Sequence, residues 1–261
     1  MARVRTIVLR AAGINCDDET KYAFELAGSA VEKVHINQLV RGEVRLGDYQ
    51  ILALSGGFSY GDDIASGRLL ANELKNKLGD QLAEFVHHGG LVIGVCNGFQ
   101  VLVKSGLLPE LSEKGSQQVT LTYNESGKFE DRWVYLKVPR DSKCVFLAGI
   151  DHLYLPVAHG EGRFVPGDAG MLNRLWQNGQ VALQYANPDG EIDGYPWNPN
   201  GSLDSIAGIS DATGRVFGLM PHPERFLHYT NHPRWTREKL PEEGDGLRIF
   251  RNAVEWVGNH R

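Results

Sequence analysis

The 261 residues suffice for one well-filled α/β domain, with 42% hydrophobic and 23% charged residues, which excludes a disordered or fibrous class. A net charge of −5 leaves no broad basic surface for a phosphate backbone, so nucleic acid is not an expected partner. No run approaches the ~18 apolar residues of a membrane span, so the expectation is a cytoplasmic, unprocessed chain with no membrane partner.

In chain order, apolar Val4 to Leu9 predicts a buried strand. Asp17 to Ala27 predicts a helix closed by Gly28, and Val31 to Ile36 a second strand. Ile51 to Leu54 predicts a third strand, followed by a glycine-rich loop. Then Leu69, Leu70, Leu74, Leu78, Leu82 and Phe85 recur near the helical period in a helix from Leu69 to His87 that Gly89-Gly90 ends. Leu91 to Val95 reads as a continuous apolar strand and Phe99 to Leu107 as a helix. This alternation implies right-handed crossovers and a mainly parallel central sheet covered on both faces, a three-layer α/β sandwich spanning residues 1–261 as one domain.

From about Gln117 the runs shorten and alternate. Val119 to Tyr123, Trp133 to Val138 and Tyr154 to Ala158 predict a small antiparallel extension. Ala169 to Gln177 predicts a helix, and Val181 to Tyr185, Ile206 to Ile209 and Val216 to Met220 predict strands, the last stopped by Pro221. Gly246 to Val257 predicts a closing amphipathic helix. The turn-rich stretch from Asn187 to Gly201 predicts loops.

The three cysteines, Cys16, Cys96 and Cys144, lack the paired spacing of a zinc site or a disulfide framework, and no metal ligand set is expected. Cys96 ends a buried strand and precedes a helix within Gly94-Val95-Cys96-Asn97-Gly98, the cysteine form of the nucleophile elbow. Flanking glycines suit so sharp a turn, because a Cβ would collide with nearby backbone. The thiol would face the positive end of a helix dipole, which favours the thiolate, and is expected to be exposed. Cys16 also stands between a strand and a helix, but it lacks the glycine pair. Asp17, Asp18 and Glu19 would disfavour its thiolate, and Asp17 and Asp18 would cap the helix. Cys144 shows no elbow and reads as packing.

Acyl transfer through a cysteine needs an imidazole to move a proton and a carboxylate to fix its tautomer. Pro221-His222-Pro223-Glu224-Arg225 offers His and Glu two apart, which in extended backbone point the same way. His159-Gly160-Glu161 offers the same spacing. Spacing alone does not choose between them; rigid prolines favour His222, whereas glycines around His159 suggest a loop that meets substrate with its backbone. One oxyanion donor follows from the elbow, the N–H of Asn97. A second is expected from Ser55-Gly56-Gly57-Phe58-Ser59-Tyr60-Gly61-Asp62, which leaves a neighbouring parallel strand at the same sheet edge. No P-loop sequence occurs.

Gly94-Val95-Cys96-Asn97-Gly98-Phe99-Gln100 together with Pro221-His222-Pro223-Glu224-Arg225 resembles the class I glutamine amidotransferases, in their chain order of Cys, His, Glu. The resemblance runs from Ile14-Asn15-Cys16-Asp17 to Gly244-Asp245-Gly246. It implies a flavodoxin-like fold, with Cys96 as nucleophile, His222 as acid/base and Glu224 as orienter. It further implies that Gly57, Phe58 and Asn97 line the oxyanion hole, that Gln100 sits beside glutamine, and that His159 and Glu161 border the pocket without catalysing. Many members carry Leu-Gly-His or Leu-Gly-Met after the cysteine. Asn97-Gly98-Phe99, with Gly56-Gly57-Phe58 and Val157-Ala158-His159-Gly160-Glu161-Gly162, is similar to members that feed de novo purine synthesis. Such a member hydrolyses L-glutamine, carries no cofactor itself, and passes ammonia to a large synthetase subunit that uses ATP and Mg2+, a small accessory subunit completing the complex. The rival readings are a cysteine peptidase or deglycase on the same elbow, and a non-catalytic scaffold. Asn97 in place of a His after the cysteine, and the intact Cys96, His222 and Glu224, weigh against them.

Overall fold

A computed structural model describes residues 3–109 and 117–260. Strand β1 (Arg5–Arg10) leads through helix α1 (Asp17–Leu26) to β2 (Ala30–His35) and a short helix α2 (Ile36–Val40). Then follow β3 (Ile51–Leu54), α3 (Arg68–His87), β4 (Leu91–Val95) and α4 (Asn97–Ser105). The second half holds β5 (Val119–Thr122), β6 (Glu130–Lys137), β7 (His152–His159), β8 (Arg163–Pro166), α5 (Ala169–Gln177), β9 (Val181–Ala186), β10 (Ile206–Ser210), β11 (Val216–Leu219) and α6 (Asp245–Asn259).

The main sheet has the order β2-β1-β3-β4-β11-β10-β9-β6-β7. The first five strands pair in parallel. The remaining pairings are antiparallel, so the antiparallel extension continues the same sheet for four strands. Strand order reverses between β1 and β3: the crossover from β1 runs outward to β2, and the one from β3 runs inward to β4. Right-handed crossovers therefore place α1 and α3 on opposite faces and open a crevice at the carboxyl ends of β1 and β3. On one face α1 packs on α6, with the Phe24 and Phe250 rings 4.9 Å apart, edge to face. Across the sheet, α3 buries Leu70, Leu74, Leu78, Leu82 and Phe85 as its period predicts, whereas Leu69 turns partly outward.

Sequence periodicity missed two elements. Helix α2 is a five-residue segment capped by its own neighbour, His35 Nδ1 accepting from the Asn37 N–H at 3.2 Å. Strand β8 pairs antiparallel with β5 as a separate ribbon, its identity fixed by that partner rather than by its own four residues. Among the described residues no helix is long and apolar enough to cross a membrane.

Two glycines bring α4 against the sheet. An ideal Cβ on Gly98 would stand 2.0 Å from the carbonyl oxygen of Leu54 in β3, and one on Gly94 would stand 2.6 Å from the Gly98 carbonyl oxygen. Both obstacles are backbone and cannot rotate aside, so any larger residue must push α4 off β3. Gly98→Ala is expected to cost more than about 3 kcal/mol, read as a lowered urea midpoint at unchanged slope.

Candidate active site

At the end of β4 the backbone turns sharply at Cys96, with φ 51° and ψ −105°, and α4 begins at the next residue. Such a conformation is costly for a residue with a Cβ and persists only where surroundings impose it. Here the Cys96 N–H donates to the Leu219 carbonyl of β11 at 2.8 Å, and its own carbonyl accepts from the Gln100 N–H at 3.1 Å. Cys96 is not the exposed residue the elbow pattern predicts; it is only 7% exposed. It lies in a cavity of about 230 Å³ lined also by Gly57, Phe58, Gln100, His159, Glu161 and His222. The carboxyl end of β7 covers the thiol, with Sγ 3.8 Å from the Ala158 carbonyl oxygen.

His222 follows β11. Its N–H donates to the Pro156 carbonyl of β7 at 2.8 Å, and its Nδ1 lies 2.6 Å from Glu224 Oε1. The expected side-by-side placement in extended backbone is replaced by a 3-10 turn over Pro223–Arg225, because Pro223 presets a turn φ and lacks the N–H a strand would use. The contact is made nonetheless, through the turn. A carboxylate accepts only, so Nδ1 carries a hydrogen and Nε2 is the nitrogen left facing the site. That Nε2 is buried without a partner. Burial opposes charge on His222, but the Glu224 carboxylate and then Cys96 outweigh it and hold the imidazole well above its usual range.

Cys16 also enters this site, although its flanking carboxylates argued otherwise. Asp17 pairs with Arg10 at 2.8 Å and with Lys33 at 3.2 Å, and Asp18 pairs with Lys33, so the acids are drawn to cations instead of capping α1. The Cys16 sulfur accepts from Arg225 Nη2 at 3.2 Å and donates to Asn15 Oδ1 at 3.3 Å. Cys144 is buried packing, and burial pushes its thiol up.

The loops after β1 and β3 are laced together at the crevice. Phe58 N–H donates to Gly13 O at 2.9 Å, and Asn15 N–H to Gly56 O at 3.4 Å. The Phe58 amide is therefore spent on Gly13, and its half-exposed ring lines the cavity. Gly57 faces Ile14 in this bridge between the two hydrogen bonds, the position whose own N–H points away from the partner strand. Its φ of 142° and an ideal Cβ 2.7 Å from Asn15 N restrict the site to glycine. Asn97 is the first residue of α4, so its N–H has no carbonyl one turn earlier. Gly57 and Asn97 thus offer the two candidate donors.

The Asn97 side chain ties the loop to the elbow. Its Oδ1 accepts from the Ser59 N–H at 3.3 Å, and its Nδ2 donates to Asp62 Oδ1 and to Gln100 Oε1, both at 3.0 Å. Gln100 Nε2 in turn donates to the Glu161 carbonyl at 2.6 Å. Glu161 thus meets the site with its backbone.

The His159 turn is pinned from below. Asn124 Nδ2 donates to the carbonyls of Lys128 and His159, both at 2.8 Å, which fixes the amide so that Oδ1 accepts from the Gly162 N–H at 3.0 Å and from His159 Nδ1 at 3.1 Å. His159 therefore holds its hydrogen on Nδ1, leaving a buried Nε2 acceptor without a partner. Burial, and secondarily His222, lower its pKa to about 3. Asn200, from the turn-rich stretch, donates to the Gly162 carbonyl at 2.8 Å and stiffens the same turn. Asn15, Asp62, Asn124, Asn200 and Arg225 were not singled out by sequence reasoning. Their signal, an isolated polar residue in a loop, is common to most loops.

Residues 3–257 match the family described as the CobB/CobQ-like glutamine amidotransferase domain. A curated relative from Dehalococcoides mccartyi, phosphoribosylformylglycinamidine synthase subunit PurQ, is 55% identical over 98% of this chain and 99% of its own length. The subunit of the same name from Methanococcus maripaludis is 44% identical over 97% of both chains. A solved structure of PurLQS from Thermotoga maritima superposes with a TM-score of 0.74 at 31% identity, covering 98% of this chain and 100% of that one. A glutamine amidotransferase from Thermotoga maritima, at 17% identity and TM-score 0.55, shares the fold.

The His159 environment has a consequence for stability. In the unfolded chain this imidazole protonates near 6.5, and in the folded chain only near 3, so between those values the unfolded state binds the extra proton and stability falls with pH. His159→Gln removes that contribution. The variant is expected to lose about 2–3 kcal/mol less than the native chain between about pH 7 and about pH 4.5, measured by urea denaturation.

Proposed function

The chain belongs to the CobB/CobQ-like glutamine amidotransferase domain family, and from that premise we infer that it is the glutaminase subunit of a phosphoribosylformylglycinamidine synthase. It releases ammonia from L-glutamine for de novo purine synthesis. The observation that carries the reading is the left-handed Cys96 elbow sharing one cavity with His222, whose Nδ1 is held 2.6 Å from Glu224.

In the mechanism we propose, the Cys96 thiolate attacks the side-chain carbonyl carbon of glutamine. The oxyanion that forms is held by the N–H groups of Gly57 and Asn97, aimed where charge develops. His222 gives a proton to the departing ammonia as the intermediate collapses to a γ-glutamyl thioester, and then draws a proton from the water that hydrolyses it. Glu224 fixes the imidazole tautomer and supports its charge throughout. Gln100, the bare acceptor of His159 and the backbone at Glu161 border the bound glutamine, whose N–H groups suit an acceptor left unpaired.

Ammonia then passes to a large synthetase subunit, which uses ATP and Mg2+ to convert formylglycinamide ribonucleotide to the amidine, a small accessory subunit completing the assembly. This chain needs no cofactor of its own. The subunit names of the relatives and the PurLQS neighbour support such a complex. Support also comes from Phe58 and Phe129, two half-exposed rings lining the cavity, and from Ile64 on the neighbouring loop, 82% exposed; a partner seated there would cover both apolar surface and reaction.

Cys96→Ala in the reconstituted complex is expected to abolish amidine formation from glutamine while sparing formation from added ammonium. Native-rate ammonia release by that variant would refute the nucleophile. Glu224→Gln should lower kcat with glutamine by about 10²–10⁴-fold with little change in KM.

A further inference from the structure

The Cys16 sulfur, an imidazole nitrogen of His222 and a carboxylate oxygen of Glu224 lie within 4.8 Å of one another, and all three side chains are buried. Cys16 has no part in the glutaminase chemistry above. Glu224 Oε2 is buried with no hydrogen-bond partner, and Glu224 Oε1 holds His222 by Nδ1 at 2.6 Å. Thiolate, imidazole and carboxylate are the three donor types that zinc takes, and a borderline-soft cation gains most from the sulfur. An ideal Cβ on Gly56 would stand 2.8 Å from His222 Cε1 and 3.4 Å from Cys16 Sγ, so the glycine leaves clear the space where sulfur and imidazole meet.

We propose that Cys16, His222 and Glu224 form an inhibitory site for a thiophilic divalent cation of the zinc type. Zinc bonds of about 2.0–2.3 Å bring donors to roughly 3.5 Å apart, so side-chain rotations of about one ångström close the site. On binding, the Cys16 thiol and His222 Nδ1 each release a proton to solvent, the ion takes the place of the Nδ1 hydrogen toward Glu224, and sulfur–metal and nitrogen–metal bonds form with no electron transfer. The cation displaces the Arg225 guanidinium from its place 3.2 Å from the sulfur. Metal on this cluster takes His222 away from the proton transfers, and a chelator restores it. The inhibitory consequence rests on the glutaminase reading; the binding does not.

Cobalt(II) titration of the full chain carrying Cys96→Ala, under a reductant without thiols, isolates the site from the nucleophile. The expected result is a thiolate-to-cobalt charge-transfer band saturating at about one ion per chain and reversed by Zn2+. The band should vanish in Cys96→Ala/Cys16→Ser. In the native complex Zn2+ should inhibit glutamine use reversibly with EDTA, and Cys16→Ser should raise the inhibitory concentration at least about tenfold relative to its own metal-free rate. No band in Cys96→Ala, an equal band in the double variant, or zinc sensitivity unchanged by Cys16→Ser overturns the proposal. Absence of metal-free glutaminase activity in the native complex would refute the functional reading and leave the cobalt result standing.

Discussion

The contact on which the site depends is the one between α4 and β3, where backbone meets backbone because Gly98 has no side chain. That approach leaves the chain no room to leave β4 gradually. The turn is concentrated in one residue, Cys96, whose left-handed φ is imposed by hydrogen bonds to β11 and to the first turn of α4. The Cys96 sulfur therefore sits on a constrained backbone, where its position is set by the sheet.

Around this fixed point, loops from distant parts of the chain are held by side-chain amides. Asn97 joins the elbow to the loop after β3, Gln100 joins it to the β7–β8 turn, and Asn124 and Asn200 hold that turn from outside. Each amide serves as donor and acceptor at once, so several loops lock without any charge being buried. The cavity's His222 is buried as a pair with Glu224, 2.6 Å apart, and the imidazole's other nitrogen has no hydrogen-bond partner.

The resemblance to class I glutamine amidotransferases was carried by local strings, and local strings survive folding intact. Strands β3 and β4 and helix α5 fall where apolar runs and turn signals place them, because a buried strand must be continuously apolar and a helix must repeat near 3.6. Helix α2 and strand β8 escaped notice because each is short and depends on a neighbour: α2 on the His35 cap, β8 on pairing with β5. The His222–Glu224 pair was legible as a spacing, although the geometry behind it is a proline-led turn and not a strand.

The sequence by itself determined the alternation of elements and the elbow pattern, since each is written in residues close together in the chain. Only the tertiary structure decided that Cys96 is buried, that the Phe58 amide is already spent on Gly13, and that Cys16 stands beside His222. These are contacts between segments remote in sequence. Cys16 illustrates the reason: its neighbouring acids are drawn to Arg10 and Lys33, while its partner Arg225 lies more than two hundred positions away, where no local pattern can reach.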